Sequence, residues 1–202
     1  MELLKQLKEH NGEFVCEEIG AEENLKRVEF RHIFEPPKNN IEIIDITGLN
    51  EFYALTGSLT LYYCEESREA AFYIAHPEQW EALADGFSDW VDMLDEDEEE
   101  DALPSWFGTH KVIGEIPASG NYILVPTEGV EEGAIYEFEH DGFEFIKIGS
   151  SIFDFIYKAL DPDETLLMEM ASHLRFVSDS STQQWWITEL RHHHGKVVKH
   201  EN

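Results

Sequence analysis

The stretch from His110 to Ile148 restricts this chain more than any other. Four short apolar runs, 110–116, 122–125, 134–139 and 143–148, follow one another across turn-forming residues. Pro117-Ala-Ser-Gly-Asn121 separates the first two, Pro126 and Gly129 close the second, and His140-Asp141-Gly142 joins the last two. An Asp-Gly pair between alternating apolar runs is a strong hairpin signal, because those residues accept the positive φ of tight hairpin turns. Connections this short leave no room for crossover helices, so the strands pair antiparallel and the class is α+β.

The remaining pattern is consistent with that class. Leu3, Leu4 and Leu7 share a helical face ended by Asn11-Gly12. Residues 13–40 carry only a weak alternation at Val28–Phe34, broken by Pro36-Pro37. Thr47 can cap a helix with Leu49, Phe52 and Tyr53 on one face and Gly57 at its end. Ser58–Cys64 and Ala70–Ala75 read as strands around Glu65-Glu66-Ser67-Arg68. Beyond Pro77, the residues Trp80, Leu83, Phe87, Trp90 and Leu94 recur at helical steps, so this helix runs into the acidic stretch that follows. Ser151-x-x-Asp154 reads as a capping box, with Ile152, Phe155, Ile156 and Leu160 inward. Asp161-Pro162-Asp163-Glu164 opens a last helix through Leu166, Leu167, Met170 and Leu174. The final 25 residues show no period. The expectation is therefore a single domain over residues 1–202 with about six strands, mostly antiparallel, packed with helices, and a helical extension over 161–202.

Charge narrows the partners. Forty-three acids face fourteen bases, a formal net charge of −29, and residues 49–110 alone carry 16 acids against one base, Arg68. Phosphate backbones and anionic membranes repel such a surface, which points instead to a basic protein partner. The densest stretch is Asp95-Glu96-Asp97-Glu98-Glu99-Glu100-Asp101, and with Asp92 and Trp106 it forms the candidate partner-binding segment. The opposing reading of such a run is a solvated linker. No apolar run reaches membrane-span length, the first residues lack a signal-peptide layout, and Cys16 and Cys64 are the only cysteines, so a cytoplasmic setting is expected.

Chemistry is harder to find. The ten histidines form no H-x-x-x-H or H-E-x-x-H spacing, and the one cluster, His192, His193 and His194, reads as a polar tail. Asp95-x-Asp97-x-Glu99 opens like a calcium loop, but Glu100 stands where the turn needs glycine and Trp106 where a bidentate glutamate should close it. No G-x-S-x-G, activated cysteine or phosphate-cradling glycine loop is present, so no catalytic residue, metal or cofactor is assigned. Trp185-Trp186 and Trp106-Phe107 are either packing residues or exposed anchors.

Three segments carry a resemblance. Leu49-Asn-Glu-Phe-Tyr-Ala-Leu-Thr-Gly-Ser-Leu-Thr-Leu-Tyr-Tyr63 is similar to the helix-to-strand passage of the SUKH superfamily of yeast cell-wall synthesis regulators and bacterial toxin-immunity proteins. Ile113-Gly-Glu-Ile-Pro-Ala-Ser-Gly-Asn-Tyr-Ile-Leu-Val125 and Gly133-Ala-Ile-Tyr-Glu-Phe-Glu-His-Asp-Gly142 resemble its strands. Ile148-Gly-Ser-Ser-Ile-Phe-Asp-Phe-Ile156 resembles its closing helix, and the likeness spans about residues 41–160. It implies a SUKH-like fold and a cytoplasmic, non-enzymatic binding protein, for which bacterial members suggest immunity against a toxin, often a nuclease. Occlusion of a basic toxin is then the leading expectation. A regulatory or scaffold module for another basic partner is the second, and a hydrolase using surplus carboxylates the third. The long acidic segment Pro77–Trp106 and the extension after Leu160 depart from the family pattern.

Overall fold

The computed structural model describes residues 2–38, 46–94, 102–117, 119–174, 176–177, 184–192 and 195–199. Five helices and eleven strands are formed among them: α1 Glu2–Glu9, β1 Gly12–Glu18, β2 Ala21–Glu35, α2 Leu49–Leu55, β3 Ser58–Tyr63, β4 Phe72–Ile74, α3 Trp80–Val91, β5 His110–Ile116, β6 Asn121–Pro126, β7 Ile135–Glu139, β8 Glu144–Gly149, α4 Ile152–Leu160, α5 Glu164–His173, β9 Phe176–Val177, β10 Gln184–His192 and β11 Val197–Lys199. The class is α+β, with antiparallel strand pairing. By contact the chain divides into two compact units, unit 1 comprising Met1–Ile33, Thr60–Phe72 and Ala159–Asn202, and unit 2 comprising Phe34–Leu59 and Tyr73–Lys158.

Unit 2 contains the meander anticipated from residues 110–148. Strands pair in the order β4-β5-β6-β7-β8, each antiparallel to the next. Helix α3 packs on this sheet, burying Phe87 among Trp106, Val112, Leu124, Tyr136 and Phe138, with Leu83 and Trp90 half-buried beside it. Before α3, Pro77–Gln79 forms a short 3₁₀ turn. His76 Nδ1 accepts the Glu78 N–H at 3.2 Å while Gln79 Oε1 accepts the His76 N–H at 3.1 Å, a reciprocal cap. The apolar stripe of α3 is as expected, but the helix ends at Val91 rather than continuing into the acidic stretch.

Turn and cap chemistry differs in detail from expectation. The β7–β8 loop spans four residues, 140–143, and its left-handed residue is Phe143 at φ 52°, not Gly142. The Glu139 carboxylate accepts both the Asp141 N–H at 3.1 Å and the Gly142 N–H at 2.6 Å, which fixes the loop from its first strand. Thr47 does not cap α2. Gly48, at φ 82°, occupies the cap position, and the Thr47 hydroxyl donates to Glu132 Oε1 at 3.0 Å. Thr56 rather than Gly57 ends that helix. Ser151 Oγ accepts the Asp154 N–H at 3.1 Å, and the Asp154 carboxylate reaches one residue further back, to the Ser150 N–H at 2.7 Å.

Unit 1 departs furthest from the sequence reading. Its strands pair in the order β11-β10-β1-β2, with β9 also on β10. The segment after Leu160 is therefore not a helical extension. It is one helix, α5, capped by Asp163 Oδ1 on the Leu166 N–H at 3.0 Å, followed by strands. The expected six strands fell short because register shifts at Val15/Cys16 and Glu17/Glu18 interrupt the alternation of β1 against its partners. In β2, Arg27 and Lys26 meet Glu13 and Glu66 at 2.7 and 2.8 Å, so charged residues fill a strand that composition alone masks.

Phe87→Ala should destabilise the protein by about 3–5 kcal/mol, and Trp90→Ala by less, about 1–3 kcal/mol, because its ring is only half-buried. Urea unfolding followed by far-UV circular dichroism measures both, and equal losses would place Trp90 fully in the core.

Candidate functional site

Among the described residues, polar groups gather in both units. In unit 1, three histidines from three parts of the chain converge. His10 follows α1, His32 lies on β2 at the inward parity of Val28 and Phe30, and His192 ends β10; their exposures are 4, 8 and 8%. The His10 ring lies between the other two, 5.0 Å from each by centroid, at interplanar angles of 21° to His32 and 31° to His192. Tyr62 packs edge-on against His10 and His32.

Backbone strain builds this array. Tyr62 sits within β3 at φ 55°, an uncommon conformation for a bulky residue and one that costs energy. The turn redirects the Tyr62 N–H to His32 Nδ1 at 3.1 Å, and the Tyr62 hydroxyl donates to the Ala159 carbonyl. An N–H donor at Nδ1 dictates the His32 tautomer: the ring carries its proton on Nε2 and donates it to His10 Nδ1 at 2.8 Å. Burial, with a smaller effect from His10, holds the His32 imidazole down at about 3, so it is neutral at physiological pH. Burial likewise pushes the Cys16 and Cys64 thiols up to about 12, which leaves them as protonated, unreactive core groups.

The same tautomer argues against a metal at this place. A metal on His32 Nε2 would need the remaining nitrogen to be a donor, whereas Nδ1 is an acceptor. Among the described residues no group of three or more His, Cys, Asp or Glu side chains is disposed to hold a metal ion.

His32 and His192 open onto a cleft of about 1060 Å³, bordered by the end of α1, the start of β1 and the ends of β2 and β10. Several of its rim charges are paired. Arg31 meets Glu65 at 2.5 Å, and Arg191 meets the buried Glu189, which also holds Lys199 at 2.6 Å. Burial would raise the Glu189 carboxyl, but its hydrogen bonds to Arg191 and Lys199 outweigh that and keep it below the ordinary range. Gly12 lets β1 approach β10 at the edge of the cleft, because a Cβ there would lie 2.0 Å from the Arg191 carbonyl oxygen.

In unit 2, the outward face of α3 presents Glu81, Asp85, Asp89 and Asp92, all exposed. Trp106 does not stand with them at the surface. At 8% exposure it packs against Tyr136 and Phe145, with ring centroids 4.7 and 5.6 Å away. Asp95, Glu96, Asp97, Glu98, Glu99, Glu100 and Asp101 lie outside the described residues, as do His193 and His194. His192 is a buried strand residue rather than part of a solvated tail. The two neighbouring tryptophans on β10 divide, Trp185 half-buried and Trp186 exposed.

Comparison with protein-family models, curated proteins and solved structures returned no match to this chain. Sequence spacing missed His10 and His32 because the array joins residues 22 positions apart with a third near the opposite end of the chain. The available signal was parity: in Val28-x-Phe30-x-His32, the histidine occupies an inward position.

The His32 pKa makes stability pH-dependent. Its folded value lies below the ordinary 6.5, so its neutral form stabilises fully above that pH. That contribution is lost as pH falls from 6.5 toward 3, by about 3 kcal/mol at about pH 4. Urea midpoints taken across this window should fall for the native chain. They should fall less for His32→Asn, which retains an acceptor for Tyr62 but cannot titrate.

Proposed function

We propose that this chain is a non-enzymatic binding protein that neutralises a basic toxin, with a nuclease as the fitting class, by covering the toxin's substrate cleft. The outward face of α3 carries the reading. Its four exposed carboxylates stand on a helix whose opposite face is anchored by Phe87, so they form a fixed array. Unit 2 holds 25 acids and 4 bases, whereas unit 1 holds 18 and 10. Three of the four bases in unit 2 are already paired with other carboxylates: Lys38 with Glu78, Lys147 with Glu131 and Lys158 with Asp154. Such a field attracts a cationic cleft from a distance and repels nucleic acid.

The resemblance to the SUKH superfamily over residues 41–160 points to the same reading. The acidic residues act as steering groups: their main effect is on the rate of encounter, with shape complementarity determining how long the complex lasts.

The test uses the product of the gene adjoining the one for this chain. Co-expression should restore growth to cells making that product, and the purified pair should associate fastest at low salt. Replacing Glu81, Asp85, Asp89 and Asp92 with Gln or Asn should slow association roughly tenfold or more in low salt. The difference should shrink toward 1 M salt, where the screening length falls from about 10 Å at 0.1 M to about 3 Å. Stopped-flow measurements that give equal rates for both proteins at low salt would remove α3 from the interface. A partner that is bound while its activity remains intact would favour a regulatory or scaffold role over immunity.

A further inference from the structure

The hydrogen-bond chain in unit 1 runs in one direction and has no place for an additional proton. Tyr62 donates to His32 Nδ1, and His32 Nε2 donates to His10 Nδ1. A second proton on His32 would set two N–H groups against each other at Tyr62. A proton on His10 Nδ1 would do the same at His32 Nε2, and the alternative His32 tautomer is blocked by Tyr62. Whichever of His10 and His32 takes the proton, one of the two bonds must break.

His10 is also the anchor of a short element. It follows α1 directly, and that helix buries only Leu3 and Leu7. Leu7, Lys8, Asn11 and Gly12 form one wall of the cleft. We propose that α1 and His10 form an acid-released strap over the unit 1 cleft, held down by neutral imidazoles and freed by mild acid.

The groups facing the array do not prevent this. β2 contributes Phe30 and His32, β3 contributes Tyr62, and β10 contributes His192. The nearby carboxylate is Asp161, which acts electrostatically on both His192 and His10 and favours a proton there. Lys196 already meets that carboxylate at 2.6 Å, and the Asp161 side chain is 82% exposed, so its pull on an imidazolium in the array is screened. Rim charges Arg31 and Glu65 compensate each other at 2.5 Å, and Arg191 is paired with Glu189. Glu13 is paired with Arg27 at 2.7 Å, Glu29 lines the cleft beside it, and the Cys16 and Cys64 thiols are neutral. Once released into water, His10 takes its proton freely, so acid favours the open state by linkage. Opening would remove a wall of the cleft and expose Phe30 and His32 on its floor.

Hydrogen–deuterium exchange on the full chain tests the strap, at about pH 7 and about pH 5 with intrinsic exchange rates corrected. Amides of residues 2–11 should lose protection roughly tenfold or more at the lower pH, while those of α4 keep theirs. His10→Asn, whose Oδ1 accepts the His32 proton but cannot be protonated, should retain protection at both. Unchanged protection of residues 2–11 in the native chain would overturn the proposal, as would equal losses over α4 or the same loss in His10→Asn. Imidazole nitrogen shifts of the native chain provide a test that does not depend on the variant folding. At about pH 7.5 they should show His32 protonated on Nε2, and the opposite tautomer would also overturn the proposal.

Discussion

The close pairing of β1 with β10 is the constraint on which unit 1 depends. It joins residues 12–18 to residues 185–192, so the strands of this unit come together only when distant parts of the chain meet. Gly12 permits the approach, because any side chain there would run into the Arg191 carbonyl. The pairing delivers His192 beside His10, and the adjoining β1–β2 pairing positions His32 on the same inward side. Once His10 and His32 are buried, water no longer satisfies the nitrogens that face each other, and the 2.8 Å bond between them takes its place. The left-handed backbone at Tyr62 is part of that solution, since it supplies the N–H that starts the chain.

Unit 2 follows a different logic. Its core is aromatic, with Phe87, Trp106, Phe138 and Phe145 meeting mainly edge to face, while the acidic residues of α3 are exposed. Rigid inward packing and a nearly uncompensated outward charge occupy opposite sides of the same helix, α3. Repulsion among these acids is tolerated because they are hydrated, and the apolar stripe provides the stabilisation. A helix of this kind is suited to steering a cationic surface, whereas the compensated cleft of unit 1 is suited to a local structural change.

How much of this was legible depended on the distance over which each signal acts. The meander β5–β8, the stripe of α3 and the caps of α4 and α5 depend on neighbours within a few residues, and the sequence pattern reports them well. Cap and loop details were less legible where a distant group competed. Thr47 was drawn away from its helix by Glu132, and Glu139 shaped the loop in which Phe143, not Gly142, took the left-handed conformation. Strands β1, β2 and β10 were hidden because register shifts break a two-residue period and cross-strand ion pairs put charge where alternation would place apolar residues. The acidic face of α3 could be read from composition, but the location of Trp106 could not, because an aromatic residue beside a charged run looks the same whether buried or exposed.

By itself the sequence determined the α+β class, the antiparallel meander, the inward face of α3 and the acidic character of one part of the chain. Each of these follows from local periodicity or from a sum of charges, neither of which needs long-range contacts. Only the tertiary structure decided that His10, His32 and His192 form one array and that a strained Tyr62 orients it. It also decided that Gly12 is required for the close approach of β10 and that Trp106 belongs to the core. Those outcomes depend on which distant groups must share a desolvated space, and that is set by strand pairing rather than by spacing along the chain.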